Sequence, residues 1–378
     1  MLRFETRLGL SRALASGLLF VVLGLLARWP VIGILNDGVL DELSPLLRLG
    51  LGCIGFFYGF RFDLRLVKSL PSGGGRLVGL STMLPFVLVV ATSALALTAV
   101  AADGEAPSFS GPSVLRDALC LGTAAALSNR PAHLYAGRRL MAIVGRLEEL
   151  FGIAGLMLIA AYFRPHAAGT MWQLPGAAWL LLTIGLGAVM GAVIYAVLQT
   201  AQKGPELLAV SLGTISFAAG AAGYLHLSSV VVTFIAGALV ANLPGGYHTK
   251  LRHTLRRLER PIVLLSLVIV GALWRPDDWR GWLLMPVFAG ARHLGKRLAA
   301  RASRGLLSEL PAAASREALA VTPLGTLAVA VVINTKLLYP GGSLPLIVSA
   351  VLGGALLTEL YVGFVNRRSR VGDVEGST

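Results

Sequence analysis

Charge is scarce in this chain. Only 14% of its 378 residues are Asp, Glu, Lys or Arg, where a soluble domain carries about 25%. So few charges cannot clothe a water-exposed surface, which argues against a soluble enzyme. Acids are scarcer than bases, 19 against 33, for a net charge of +14. In a soluble protein that surplus would suggest a nucleic-acid partner. In an apolar chain, Lys and Arg mark cytoplasmic loops instead, and no nucleic acid is expected. Cysteine is almost absent. Cys53 and Cys120 both fall inside apolar runs, so they read as small core residues and not as a disulfide or metal pair. The six histidines are scattered and show no ligand spacing. No nucleophile, phosphate loop or metal motif lies on a loop, so neither an enzyme nor a cofactor is expected.

What is present is apolar sequence: 55% of residues are hydrophobic, with a mean hydropathy of +0.74. A bilayer core takes roughly 20 apolar residues per helix. Twelve such spans are expected: 12–32, 44–60, 77–101, 115–137, 140–163, 174–198, 206–225, 228–243, 261–275, 281–300, 316–338 and 344–365. The seventh and eighth are parted only by Leu225-His226-Leu227-Ser228. The N-terminal run lacks a small-residue cleavage site after Ala27 and reads as a retained first span. Every other loop is basic. One set holds Arg61, Arg65, Lys68 and Arg76, then Lys250, Arg252, Arg256, Arg257 and Arg260, then Arg367, Arg368 and Arg370. The opposite loops hold acids such as Asp37, Asp41, Asp103, Asp277 and Asp278. That bias fits twelve spans with both termini in the cytoplasm, and an integral protein of a bacterial inner membrane is expected.

The stretch Asp117–Gly155 organises the chain. Its first apolar run breaks at Ser128-Asn129-Arg130-Pro131, and the next carries the adjacent acids Glu148 and Glu149. Charges at membrane depth are costly and usually face a cavity, one another or an ion path. A helix broken there is tolerated only where it packs in protein or lines water. A second apolar run, ALAVTPLGTLAVAVV from Ala318 to Val332, breaks at Thr322-Pro323-Leu324-Gly325. Pro removes a helical hydrogen bond and Gly loosens the backbone, so both runs should unwind near mid-membrane. By the loop count the two run in opposite directions. Paired interrupted spans in two halves point to a transporter site built on inverted repeats.

Five stretches, in order, resemble the monovalent cation:proton antiporter superfamily. They are LGLGCIGFFYGFRFDL (Leu49–Leu64), LSSVVVTFIAGALVAN (Leu227–Asn242), LERPIVLLSLVIVG (Leu258–Gly271), ARHLGKR (Ala291–Arg297) and TPLGTLAVA (Thr322–Ala330). The resemblance covers nearly the whole chain. It implies an all-α polytopic membrane protein of about 12 transmembrane helices, in which two broken helices cross. It implies a mobile core bundle, about 77–163 and 281–365, moving against a dimerising scaffold made from the other spans. It also implies exchange of sodium or potassium for protons, and a homodimer. Gly17 and Gly24 in the first span suit such a helix contact.

The resemblance carries the essential acid to Glu149 and its companion to Glu148, the two expected ligands of the transported cation. Two adjacent carboxylates in a low dielectric cannot both ionise freely. The bland alternative is a pair snorkelling to the membrane edge beside Arg146. Arg292 corresponds to the family's buried base, with Lys296 and Arg297 expected at the inner mouth. Ser128, Asn129, Pro131, Thr322, Pro323 and Gly325 would line the break, where freed backbone groups help hold an ion. His133 and His293 lie nearby and read as packing. Three departures stand out: Glu replaces the family's Asp, Arg130 precedes Pro131, and the link from Pro131 to Glu149 is short. A fixed pair between Arg130 and either Glu would plug the site and leave a non-transporting or regulatory homologue. Arg130 and Arg292 together would alternatively suit an anion carrier.

Overall fold

The computed structural model describes residues 17–29, 33–65, 73–102, 111–128, 138–164, 174–200, 204–275, 278–303, 322–339 and 345–359. Asn129, Arg130, Pro131 and His133 lie outside the described residues, as do both termini. Thirteen helices and no strand are found among the described residues. They are α1 (Leu18–Arg28), α2 (Asp37–Glu42), α3 (Ser44–Phe60), α4 (Gly74–Ala102), α5 (Gly111–Ala126), α6 (Arg138–Tyr162) and α7 (Gly176–Thr200). There follow α8 (Gly204–Tyr224), α9 (Ser229–Asn242), α10 (His248–Leu273), α11 (Trp279–Ala302), α12 (Thr326–Leu338) and α13 (Pro345–Glu359).

Twelve of these coincide with the twelve expected spans; the short α2 is additional. The seventh and eighth spans are separate helices, parted at His226, whose φ of 53° is left-handed. Ser228 then caps α9, its side chain accepting from the Val231 amide, which supplies one of the donors a helix start leaves unmatched. The ninth differs most from expectation. The basic segment before Pro261 is part of the same helix, so α10 runs for 26 residues.

Among the described residues, three helices are by themselves long and apolar enough to cross a membrane, within Gly74–Val100, Gly176–Gln199 and Glu206–Tyr224. The others are shorter or carry charge. The molecule is apolar outside: Val87 and Leu95 of α4, Leu181 and Val189 of α7, and Phe217 of α8 are exposed. Its interior holds Asp117, Glu148, Arg292, Lys296 and Asn334. That inversion suits a helical protein whose solvent is lipid and whose polar groups must find partners inside.

Two sets of neighbours follow from the packing. α3 packs on α9, α9 on α7, α8 on α3, and α10 on α1 and α3. Separately, α4 packs on α5 and α11, α5 on α6, and α12 on α5 and α6. The α1 contact depends on bare backbone. A Cβ on Gly24 would lie 1.9 Å from the Val268 carbonyl oxygen of α10, and one on Gly17 2.7 Å from Leu267. Those two glycines therefore serve a contact within the chain.

Candidate functional site

The two breaks fall where expected. α5 stops at Ala126 and the backbone of Leu127 and Ser128 is not helical. Thr322 to Gly325 is not helical either, and α12 starts at Thr326. The half-helices lie side by side and antiparallel. Ser128 and Thr322 meet hydroxyl to hydroxyl at 3.2 Å, and Cys120 donates to Thr335 at 3.5 Å. Pro323 is partly buried and Gly325 buried between them.

A helix end leaves its last carbonyls without partners, and those of α5 are deep in the molecule. Two cations from one face of α11, four residues apart, take them up. Arg292 donates to the carbonyl oxygens of Leu127 (3.0 Å) and Thr322 (2.8 Å), tying both breaks together. Lys296 donates to the carbonyl of Ala126 at 3.0 Å, to that of Ser81 at 2.9 Å and to Glu148 Oε1 at 3.2 Å. The Ser81 carbonyl is available because Pro85 has no amide hydrogen to give it. Positive charge at the C-terminal end of α5 also complements the negative end of its dipole.

Lys296 was expected near the inner mouth, and that expectation fails: its side chain is 1% exposed. The reason is local. Three acceptors converge on one point: a carbonyl freed by Pro85, a carbonyl at the end of α5, and the carboxylate of Glu148. Lys296 and Tyr58 are the functional candidates that sequence reasoning missed. Pro85 in α4, and the four-residue spacing of Lys296 from Arg292, were the available signals.

The two acids part company on α6. Glu148, Gly152 and Gly155 form one stripe at helical spacing, and that stripe faces α5. A Cβ on Gly152 would come within 2.5 Å of Leu127, and one on Gly155 within 2.8 Å of Thr123. This close approach buries Glu148 completely and brings it to Lys296. It does not snorkel to the membrane edge. Glu149 is one residue off the stripe and only partly buried. Among the described residues it makes no hydrogen bond or ion pair. Its charged neighbours are Arg61, Arg146, Glu148 and Glu259, and Tyr58 lies close enough to feel it. The Tyr58 hydroxyl on α3 bonds the Thr326 hydroxyl at 2.9 Å, at the first residue of α12. On the far side of Glu149, Arg61 pairs with Glu259, and Arg146 donates to the Arg61 carbonyl.

His293 is partly buried beside Arg292 and Arg297. Among the described residues no three His, Cys, Asp or Glu side chains cluster at metal-binding distance. A cation held at Glu149 would complete its shell from hydroxyls, carbonyls and water, as hard monovalent ions allow.

The chain is similar to a solved structure of the sodium proton antiporter MjNhaP1 from Methanocaldococcus jannaschii at pH 8. The TM-score is 0.59 with 13% identity, over 92% of this chain and 88% of that one. The fold is that of the sodium/proton antiporters. An electron microscopy structure of the same antiporter matches with a TM-score of 0.57 and 14% identity, over 94% of this chain and 89% of that one. No family model matches the sequence, and no curated protein does.

Proposed function

We propose that this protein is a secondary active transporter that exchanges a monovalent cation, sodium or potassium, for protons. Glu149 is the carboxylate that the two share. One observation carries the reading. At the junction of two broken half-helices, Glu148 is bound to Lys296, while Glu149 has no ion-pair partner among the described residues. A carrier acid must be able to exchange its partner. Glu148 is built into the fold, and Glu149 is not.

In this reading α4, α5, α6, α11, α12 and α13 move as a core past a scaffold of α1, α3 and α7–α10. Glu149 and Tyr58 lie where the two bundles meet. The protein acts as a homodimer in a bacterial inner membrane, with both termini cytoplasmic. Gly17 and Gly24 are not the dimer contact, since α10 covers them. An anion path through Arg292 fits poorly, because that side chain already serves two main-chain carbonyls.

Proteoliposomes loaded with a pH-sensitive dye test the proposal. Pulses of sodium, potassium, lithium and a panel of anions are applied from outside. Cation-driven proton flux is expected in the wild type. In Glu149→Gln it should fall at least about a hundredfold, because the amide keeps the shape and cannot exchange a proton. Cation-driven proton flux persisting at wild-type rates in Glu149→Gln would refute the proposal.

A further inference from the structure

The first half of α10 carries a feature that ion exchange leaves unused. Lys250, Arg252, His253, Arg256, Arg257 and Arg260 are all exposed. At about 100° per residue they fill one half of the helix surface. The opposite side holds Leu251 and Leu255, buried against Phe60, Ile194, Leu198 and Leu207. Those residues lie at the ends of α3 and α7 and the start of α8. The segment is therefore seated on the ends of membrane helices with its basic half turned away from the protein.

Several other bases of the described residues have partners. Arg28 and Arg275 share Asp37, and Arg116 pairs with Asp117. Arg164 and Lys336 take the carbonyls of Leu225 and Leu273. By contrast, the side chains of Lys250, Arg252, Arg256, Arg257 and Arg260 make no ion pair or hydrogen bond among the described residues. The lone acid of α10, Glu259, is drawn off to Arg61. Five like charges within eleven residues repel one another, and nothing among the described residues neutralises them. Arg260 is also the last charge before Pro261 and the apolar run to Leu273. The basic half therefore stands where the hydrocarbon ends and the headgroups begin.

We propose that the basic half of α10 is a binding surface for anionic phospholipid headgroups of the surrounding bilayer. The inference rests on the membrane fold and is independent of whether Glu149 carries ions. A cluster of four to eight bases just beyond a membrane helix has the charge to hold such lipids. The guanidinium groups supply forked donors that match phosphate oxygens.

Native mass spectrometry of the full chain in mild detergent provides the test, with phosphatidylglycerol and phosphatidylcholine titrated separately. The wild type should retain phosphatidylglycerol preferentially. The triple variant Arg256→Gln, Arg257→Gln, Arg260→Gln should bind it about a hundredfold more weakly, at roughly fivefold per lost base. The control triple Arg65→Gln, Arg76→Gln, Arg301→Gln removes exposed bases from other elements and should keep the preference. All six sites are exposed, and an unchanged melting temperature verifies that each variant is folded. Four results would overturn the proposal: no lipid preference in the wild type, an unaltered preference in the first triple, an equal loss in both triples, or tighter binding of an oligoglutamate peptide than of phosphatidylglycerol.

Discussion

Glu148 and Glu149 are adjacent in sequence and live in different surroundings. Glu148 points at α5, in a pocket closed by Gly152 and Gly155, and shares Lys296 with two main-chain carbonyls. Glu149 points towards α3, beside a tyrosine and threonine hydroxyl pair and a partly exposed Arg61–Glu259 bridge. The step between them is about 100° around one helix. One side is closed and bonded to Lys296, as suits a part that holds the broken helices in register. The other is partly open and held by weak contacts, as suits a part that must let go. On the proposed function, two acids in a row thus divide structure from transport.

Perturbing the closed side should have the largest effect. Lys296→Met removes a buried charge and leaves Glu148 uncompensated, along with the Ser81 and Ala126 carbonyls. The expected loss is about 3–5 kcal/mol, read as a sharp fall in melting temperature in detergent. Adding Glu148→Gln to Lys296→Met should recover part of it, because no lone charge then remains. If Lys296→Met left stability unchanged, the two sides would not differ as described.

The open side should respond more gently. Tyr58→Phe loses one hydroxyl bond to Thr326, about 0.5–1.5 kcal/mol, with little change in melting temperature. Because Tyr58 joins α3 to α12 beside Glu149, apparent cation affinity should shift several-fold in flux assays. Smallest of all is Glu259→Gln. Its pair with Arg61 is partly exposed, so screening holds its worth to less than about 1 kcal/mol. Stability should be unchanged within error, while the salt dependence of flux changes.

Much of this fold was legible because lipid makes simple demands. Twelve apolar runs became twelve helices, and the Pro-Gly interruption before Thr326 and the polar step at Ser128 became breaks. Arg292 was expected as a buried base and is one. Lys296 was misread because a lysine followed by Arg297 at a span's end looks like a snorkelling pair. What buries it is a carbonyl freed by Pro85, more than two hundred residues away, and no local pattern carries that. The basic start of α10 was taken for a loop because hydropathy cannot register a helix that has only two buried leucines in its first eight residues. Gly17 and Gly24 were read as an outward contact, and the partner proved to be α10. Glu148 and Glu149 were found together, but their division needed the α5 contact of Gly152 and Gly155.

The claim that the two acids have separate roles is tested most directly by proton release in detergent. Sodium or potassium is added to weakly buffered protein, and the released protons are counted with an indicator dye. If a cation and a proton compete for Glu149, the wild type releases protons in a saturable, cation-dependent manner. Glu148→Gln keeps that release and Glu149→Gln abolishes it. Release that survives in Glu149→Gln and vanishes in Glu148→Gln would contradict the account, since the exchanging carboxylate would then be the one bound to Lys296.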